Sequence, residues 1–122
     1  MVAAPKRGDI YQVNWNPSRG SEQAGIRPAL VVQHDVMNAH SSVTIVAAIT
    51  SAPPKKRYPQ EVPLPDGTLP KRSWVLCGQL MTVGKDRLGR MMGYAPADTM
   101  SQVDEALHYA LGMPPDPRGG AE

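Results

Sequence analysis

The run Val43-Thr44-Ile45-Val46-Ala47-Ala48-Ile49-Thr50 is the most β-branched stretch of the chain. Branching at Cβ stiffens χ1 and suits a pleated, buried surface better than a helix, so the whole run is expected as a strand. Upstream of it, Pro28 opens Ala29-Leu30-Val31-Val32-Gln33-His34, a short apolar run typical of a second, buried strand. Gly8 to Trp15 mixes β-favouring and polar residues and reads as a half-buried first strand; Asp35-Val36-Met37-Asn38 reads as a turn. Downstream, residues 51–59 hold Pro53, Pro54, Pro59 and the run Lys55-Lys56-Arg57, a basic loop rather than a regular element. Glu61-Val62-Pro63-Leu64 can only be an edge strand, because Pro63 has no N–H to give to a ladder. Asp66-Gly67 marks a turn, and Ser73 to Cys77 and Arg90 to Tyr94 read as later strands, with Gln79 to Val83 able to extend the sheet.

One helix is expected, starting at Pro96 with Asp98 in its first turn and ending before Gly112. Met100, Val103, Leu107 and Leu111 recur at spacings of three and four, one apolar stripe that must dock on the sheet or on a second subunit. Residues 113–122 carry little that could be buried and read as a disordered tail, leaving 1–112 as a single domain. Strands joined by uneven loops and closed by one helix predict a mainly β fold, a small antiparallel barrel with a C-terminal helix.

Composition agrees with this. Thirteen Pro, 11 Gly and no Phe in 122 residues exclude a helical bundle. The lone Cys77, in the apolar setting Trp74-Val75-Leu76-Cys77, reads as a buried inert thiol of a reducing compartment. No apolar run reaches the roughly 18 residues of a membrane span and the N-terminus is no signal peptide, so a soluble, cytoplasmic protein is expected. The net charge of +2 is unevenly spread: residues 1–96 hold 12 Lys/Arg against six Asp/Glu, whereas residues 97–122 hold Arg118 against five acids. A basic body of this kind attracts polyanions, although surplus Lys and Arg also simply keep a surface soluble.

The chain has no spaced Cys/His set for zinc, no phosphate-cradling glycine loop and no nucleophile elbow, and His34, His40 and His108 read as surface or edge residues. What remains is a cluster of polar groups in the loops between strong strands. Arg27 lies between a glycine-containing loop and the stiff Pro28, where its guanidinium could grip a phosphate with two hydrogen bonds. Thr50-Ser51 ends the third strand and sets hydroxyls beside the Lys55-Lys56-Arg57 cations. Residue chemistry alone leaves solvated loops on a barrel as the competing reading.

The blocks Arg7-Gly8-Asp9-Ile10-Tyr11, Gly20-Ser21-Glu22-Gln23-Ala24-Gly25-Ile26-Arg27-Pro28-Ala29-Leu30-Val31-Val32 and Val46-Ala47-Ala48-Ile49-Thr50-Ser51 strongly resemble, in order and spacing, the MazF/PemK family of toxin endoribonucleases. The likeness continues through Gln79-Leu80-Met81-Thr82-Val83, Lys85-Asp86-Arg87-Leu88-Gly89 and Val103-Asp104-Glu105-Ala106-Leu107 and covers roughly residues 6–112. The resemblance implies an SH3-like barrel, a homodimer, and cleavage of single-stranded mRNA without metal or other cofactor, leaving 2′,3′-cyclic phosphate and 5′-hydroxyl ends. It also implies a cognate antitoxin whose acidic, disordered segment folds onto the RNA groove. By the same resemblance Arg27 would stabilise the phosphorane and could supply the leaving-group proton, Thr50 would bond a phosphate oxygen, and Glu22 is the candidate base. RNA contacts are expected from Ser21, Arg19, Ser51, Lys55, Lys56, Arg57, Asn38, Gln79 and Thr82; Trp15 fits either a base-stacking surface or the core.

One departure stands out. Many relatives carry an acid before the Gln and an Arg or Lys two positions after it, whereas Gly78 and Met81 occupy those places here. Two other readings therefore stay open. A binding toxin of the gyrase-poison type would share the fold, but its apolar, Trp-containing C-terminal end has no counterpart in Arg118-Gly119-Gly120-Ala121-Glu122; a relative that binds RNA without cutting is the third.

Overall fold

The computed structural model describes residues 4–15, 25–56 and 58–114. The β-branched run forms β3 (Val43–Thr50) over the whole expected span, and it lies near the middle of a six-stranded sheet. Its neighbours are β2 (Ile26–Val31) on one side and β5 (Trp74–Gly84) on the other; β1 (Asp9–Asn14) pairs with β2, β4 (Glu61–Pro63) with β5 and β6 (Leu88–Tyr94) with β1. Every pairing is antiparallel, in the order β4-β5-β3-β2-β1-β6. Pro63 sits on the edge strand β4, where its missing N–H breaks no ladder.

Chain connectivity bends this sheet over on itself. A three-residue 3-10 turn, Lys85–Arg87, carries β5 into β6, yet four strand spacings of about 4.8 Å each, roughly 19 Å, would separate the two in a flat sheet. The four Cα steps from Gly84 to Leu88 reach at most about 15 Å, and less in a 3-10 turn. The sheet must therefore curl until the end of β5 approaches the start of β6. It is barrel-like in curvature, while β4 and β6 remain hydrogen-bond edges and the sheet is not closed.

Both faces of the central strands are apolar, which is why β2 and β3 read as continuous runs rather than alternating ones. Val13, Ala29, Val31, Val46 and Val83 gather with Trp15 on one side, joined by the partly buried Tyr11, Met81 and Leu88. Ile10, Leu30, Ala47, Ile49, Val62 and Val75 gather on the other, together with Val103 and Ala106 of α2 (Ala97–Leu111). Cys77 is fully buried there.

Several boundaries differ from expectation for identifiable reasons. The second strand ends at Val31, because His34 turns the chain: its Nδ1 accepts the Val36 N–H at 3.1 Å and starts the short helix α1 (Asp35–His40) where a turn was expected. The two expected segments at 73–77 and 79–83 belong to one strand, β5, interrupted by a bulge: Leu76 faces Ala48 and Leu80 faces Ala47, so Cys77, Gly78 and Gln79 are extra. Pro96 is the N-cap of α2 rather than its first helical residue. The helix ends as expected at Gly112, whose φ of 68° is the left-handed geometry glycine adopts without strain, with Met113 N–H reaching back to the His108 carbonyl at 2.8 Å. The buried stripe of α2 is Thr99, Val103 and Ala106, flanked by Met100 and Leu107; Leu111 is 56% exposed, past the part of the helix that covers the sheet. Residues 115–122 of the expected tail lie outside the described residues.

Candidate functional site

Register brings the two central residues of the expected site together. β2 and β3 pair through Val31↔Val46, Leu30↔Ala47 and Ala29↔Ala48, and the same register carried two residues further sets Arg27 across from Thr50. Arg27 shares its face with Ala29 and Thr50 shares its face with Ala48, since side chains alternate along each strand. Pro28 lies between, so the recorded ladder stops just before this pair. Arg27 is exposed and Thr50 partly so, at the rim of a face whose interior is Ala29, Val31 and Val46.

The Thr50 hydroxyl is oriented locally. Its Oγ1 accepts the Ala52 N–H at 3.1 Å, a turn made by a hydroxyl residue at a strand end, which holds the oxygen at the rim and leaves its own proton to donate outward. Ser51, Lys55 and Lys56 follow, all exposed, with the Lys56 ammonium 5.7 Å from the Tyr58 ring centroid. Arg57 lies outside the described residues, as do Arg19, Ser21 and Glu22. Trp15 donates its N–H to the Gly25 carbonyl at 2.8 Å, two residues from Arg27.

Other expected contact residues sit elsewhere. Trp15 is 6% exposed and packs with Val13, Ala29 and Val83, so it belongs to the core and offers no stacking face. Asn38 is 1% exposed, and its amide is consumed internally: Oδ1 accepts from Gln33 and Thr44, and Nδ2 donates to the Gln33 carbonyl and to Asp35. A surface contact with RNA is closed to both in this arrangement. Gln79 and Thr82 are exposed, but Gln79 lies in the bulge and Thr82 beyond it, five and eight positions along β5 from Trp74, the residue that faces Thr50. Gly78 lies in that bulge; a Cβ there would meet only the Gln60 Cγ, at 3.5 Å, an ordinary contact, so the backbone does not demand glycine where relatives carry an acid. Met81 packs its side chain against the second core cluster.

A residue of the site that sequence reading passed over is Trp74. It pairs with Thr50 on one side and Pro63 on the other, so Arg27, Thr50, Trp74 and Pro63 form a row across β2, β3, β5 and β4. Trp74 lines an open groove of ≈ 460 Å³ with Ser51, Pro54, Lys71 and Arg72. The signal available was Lys71-Arg72, one residue short of an aromatic at a strand start.

A family profile described as PemK-like, MazF-like toxin of type II toxin-antitoxin systems matches residues 6–111. The chain belongs to this family. An endoribonuclease MazF of Staphylococcus saprophyticus is 37% identical over 110 residues, 88% of this chain and 92% of that protein. Among solved structures, MazF of Deinococcus radiodurans superposes with a TM-score of 0.79 at 32% identity, covering 92% of this chain and all of that one. A mycobacterial endoribonuclease in complex with its cognate antitoxin gives 0.78 at 28% identity, over 91% of this chain and 98% of that one. Membership in the PemK/MazF family thus extends across the sheet, the Arg27–Thr50 rim and α2 together. Among the described residues no helix is long and apolar enough to cross a membrane.

Proposed function

We propose that this protein is the toxin of a type II toxin-antitoxin pair, an endoribonuclease that cleaves single-stranded mRNA in the cytoplasm. The observation that carries the reading is the β2–β3 register, which, carried two residues past its last pair Ala29↔Ala48, sets Arg27 across from Thr50 at an open, basic rim of a PemK/MazF sheet. In the reaction the ribose 2′-oxygen attacks the adjacent phosphorus, the bond from phosphorus to the 5′-oxygen breaks, and a 2′,3′-cyclic phosphate and a 5′-hydroxyl result. A base must take the 2′-OH proton and an acid must return one to the 5′-oxygen, while two charges crowd onto the phosphorane. Arg27 presents a planar fork of donors to those oxygens, and the outward proton of Thr50 adds another. Glu22, between Trp15 and Gly25 in the sequence, is our candidate base. Exposed Lys55 and Lys56, with Arg19, Ser21, Ser51 and Arg57, would follow the backbone. The protein acts as a homodimer with RNA crossing between the protomers, and an acidic segment of the antitoxin competes for the same cations.

Incubating the purified protein with a long single-stranded RNA in EDTA and mapping both ends of each fragment tests this directly. Cleavage at a short recurring sequence with cyclic phosphate and 5′-hydroxyl ends is expected. Intact RNA, or cleavage that vanishes when metal is chelated, overturns the mechanism.

A further inference from the structure

Trp74 is the one tryptophan that the curled sheet leaves partly open: Trp15 is in the core, whereas Trp74 stands in the row beside Thr50 and forms one wall of the groove. Three things about that groove bear on its occupant. Its aromatic wall is flat, and the Arg72 guanidinium already lies over it, 5.6 Å from the ring centroid and within cation–π range. Its remaining walls are built by Pro53, Pro54 and Pro63 together with Ser51 and Lys71. Its volume falls within the few hundred Å³ of a small-molecule site. Stacking surface, apolar sides and a cation at the edge are the chemistry that holds an unstacked base together with its phosphate.

We infer that Trp74 is a specificity-determining residue, the platform on which one nucleobase beside the scissile phosphate stacks, with Arg72 and Lys71 gripping the phosphate attached to it. The inference rests on the proposed ribonuclease activity and deepens it by assigning a base subsite. Continuity with the site sets the order of the substrate: Thr50 and Trp74 are direct cross-strand partners, about 5 Å apart at Cβ, so a phosphate at Thr50 leaves its neighbouring base within reach of the indole. Arg72 is exposed on a long, flexible side chain, so it can yield the ring face to the base and then cover the base or its phosphate. An acidic peptide would need the cations but not the flat ring, which is why a nucleobase is the better fit.

The experiment compares wild type, Trp74→Ala and Trp74→Phe on a cleavable oligonucleotide and on the same oligonucleotide made abasic at each position flanking the cut. Loss of one stacked base predicts a rise in KM of roughly tenfold or more for Trp74→Ala, recovered largely by Trp74→Phe. One abasic position should penalise the wild type by a similar factor and leave Trp74→Ala unaffected. A non-cleavable 2′-deoxy analogue should quench tryptophan emission in the wild type but not in Trp74→Phe, a readout that survives if Trp74→Ala fails to fold. Unchanged KM and base preference in Trp74→Ala, or no abasic position that distinguishes it from wild type, overturns the inference. So does a variant that loses only its grip on an acidic antitoxin peptide while cutting RNA normally. If the wild type cuts no RNA at all, the proposed function fails, and quenching by the analogue still decides the subsite.

Discussion

Thr44 donates its hydroxyl proton to Oδ1 of Asn38 across 2.7 Å in the protein interior, tying α1 to the first half of β3. The same oxygen accepts from Gln33 Nε2 at 3.0 Å, and Asn38 Nδ2 returns a bond to the Gln33 carbonyl at 2.9 Å. Lys85 adds a bond from its ammonium to the Asn38 carbonyl. Asn38 thus holds the chain reversal after β2 in place. Asn38→Ala leaves the buried Gln33 and Thr44 groups short of a partner, at about 1–3 kcal/mol for each unsatisfied group. Chemical denaturation is expected to show a loss of about 2 kcal/mol or more, with KM for RNA moved little while the protein stays folded. An unchanged denaturation midpoint would refute this account of α1.

That network also illustrates what could and could not be read along the chain. β3 was legible in full because a β-branched run buried on both faces carries its own signature, and β4 because Pro63 admits only an edge. α1 was not, because a six-residue helix is held by the His34 cap and by contacts to Thr44 and Lys85 rather than by any periodicity of its own. Arg27 and Thr50 were singled out by residue chemistry and given roles by resemblance, and strand register then shows how residues 23 positions apart can lie side by side. Trp15 fitted either the core or a stacking surface, and the fold puts it in the core while Trp74 stays half-buried: each begins or ends a strand amid mixed neighbours, and the curl of the sheet decides which indole it encloses.

Acid should weaken the corner where α1 meets the N-terminal segment. The Asp35 carboxylate accepts the Arg7 backbone N–H at 2.7 Å, and this bond is the main reason its pKa lies below the ordinary aspartate value; the Asn38 amide and the charges of Lys6 and His34 assist, against a smaller opposing effect of desolvation. A carboxylate with a depressed folded pKa stabilises the fold above its unfolded pKa and loses that contribution as pH falls through the folded value. Wild type is therefore expected to lose stability more steeply than Asp35→Asn between neutral pH and about pH 3, measured by urea midpoints along a pH series. Parallel pH profiles for the two proteins would contradict this.

Cys77 should be chemically silent in the folded protein. Burial is the main reason its thiol is pushed up to about 11, with Arg7 acting in the opposite sense and Asp104 in the same one. At pH 8 only about one molecule in a thousand would carry the thiolate that alkylating agents attack, and the residue has no exposed surface. Modification by iodoacetamide is expected to run at least about 100-fold slower in native protein than in urea, with a native rate that follows local opening. Rapid native alkylation would mean that the sheet around the β5 bulge opens far more readily than its packing implies.

If Arg27 and Thr50 both face the same phosphorane, each substitution removes a donor that matters most where charge develops, so kcat falls about 10²–10³-fold while KM moves less. Arg27→Ala should keep its stability to within about 0.5 kcal/mol, since the side chain is exposed, and Thr50→Val, which gives up the bond from the Ala52 N–H, should lose no more than about 1.5 kcal/mol. Arg27→Lys keeps the charge but loses the two-pronged geometry, and is expected to fall between wild type and Arg27→Ala. Thr50→Ser keeps the hydroxyl and should retain most activity, which separates a donor from a packing role. Because the two groups would share one oxygen cluster, the double variant should cost less than the product of the single losses, the signature of residues that act as a unit. Full multiplicative losses would mean that they stabilise different parts of the reaction, and wild-type cleavage by Arg27→Ala would remove the pair from the chemistry altogether.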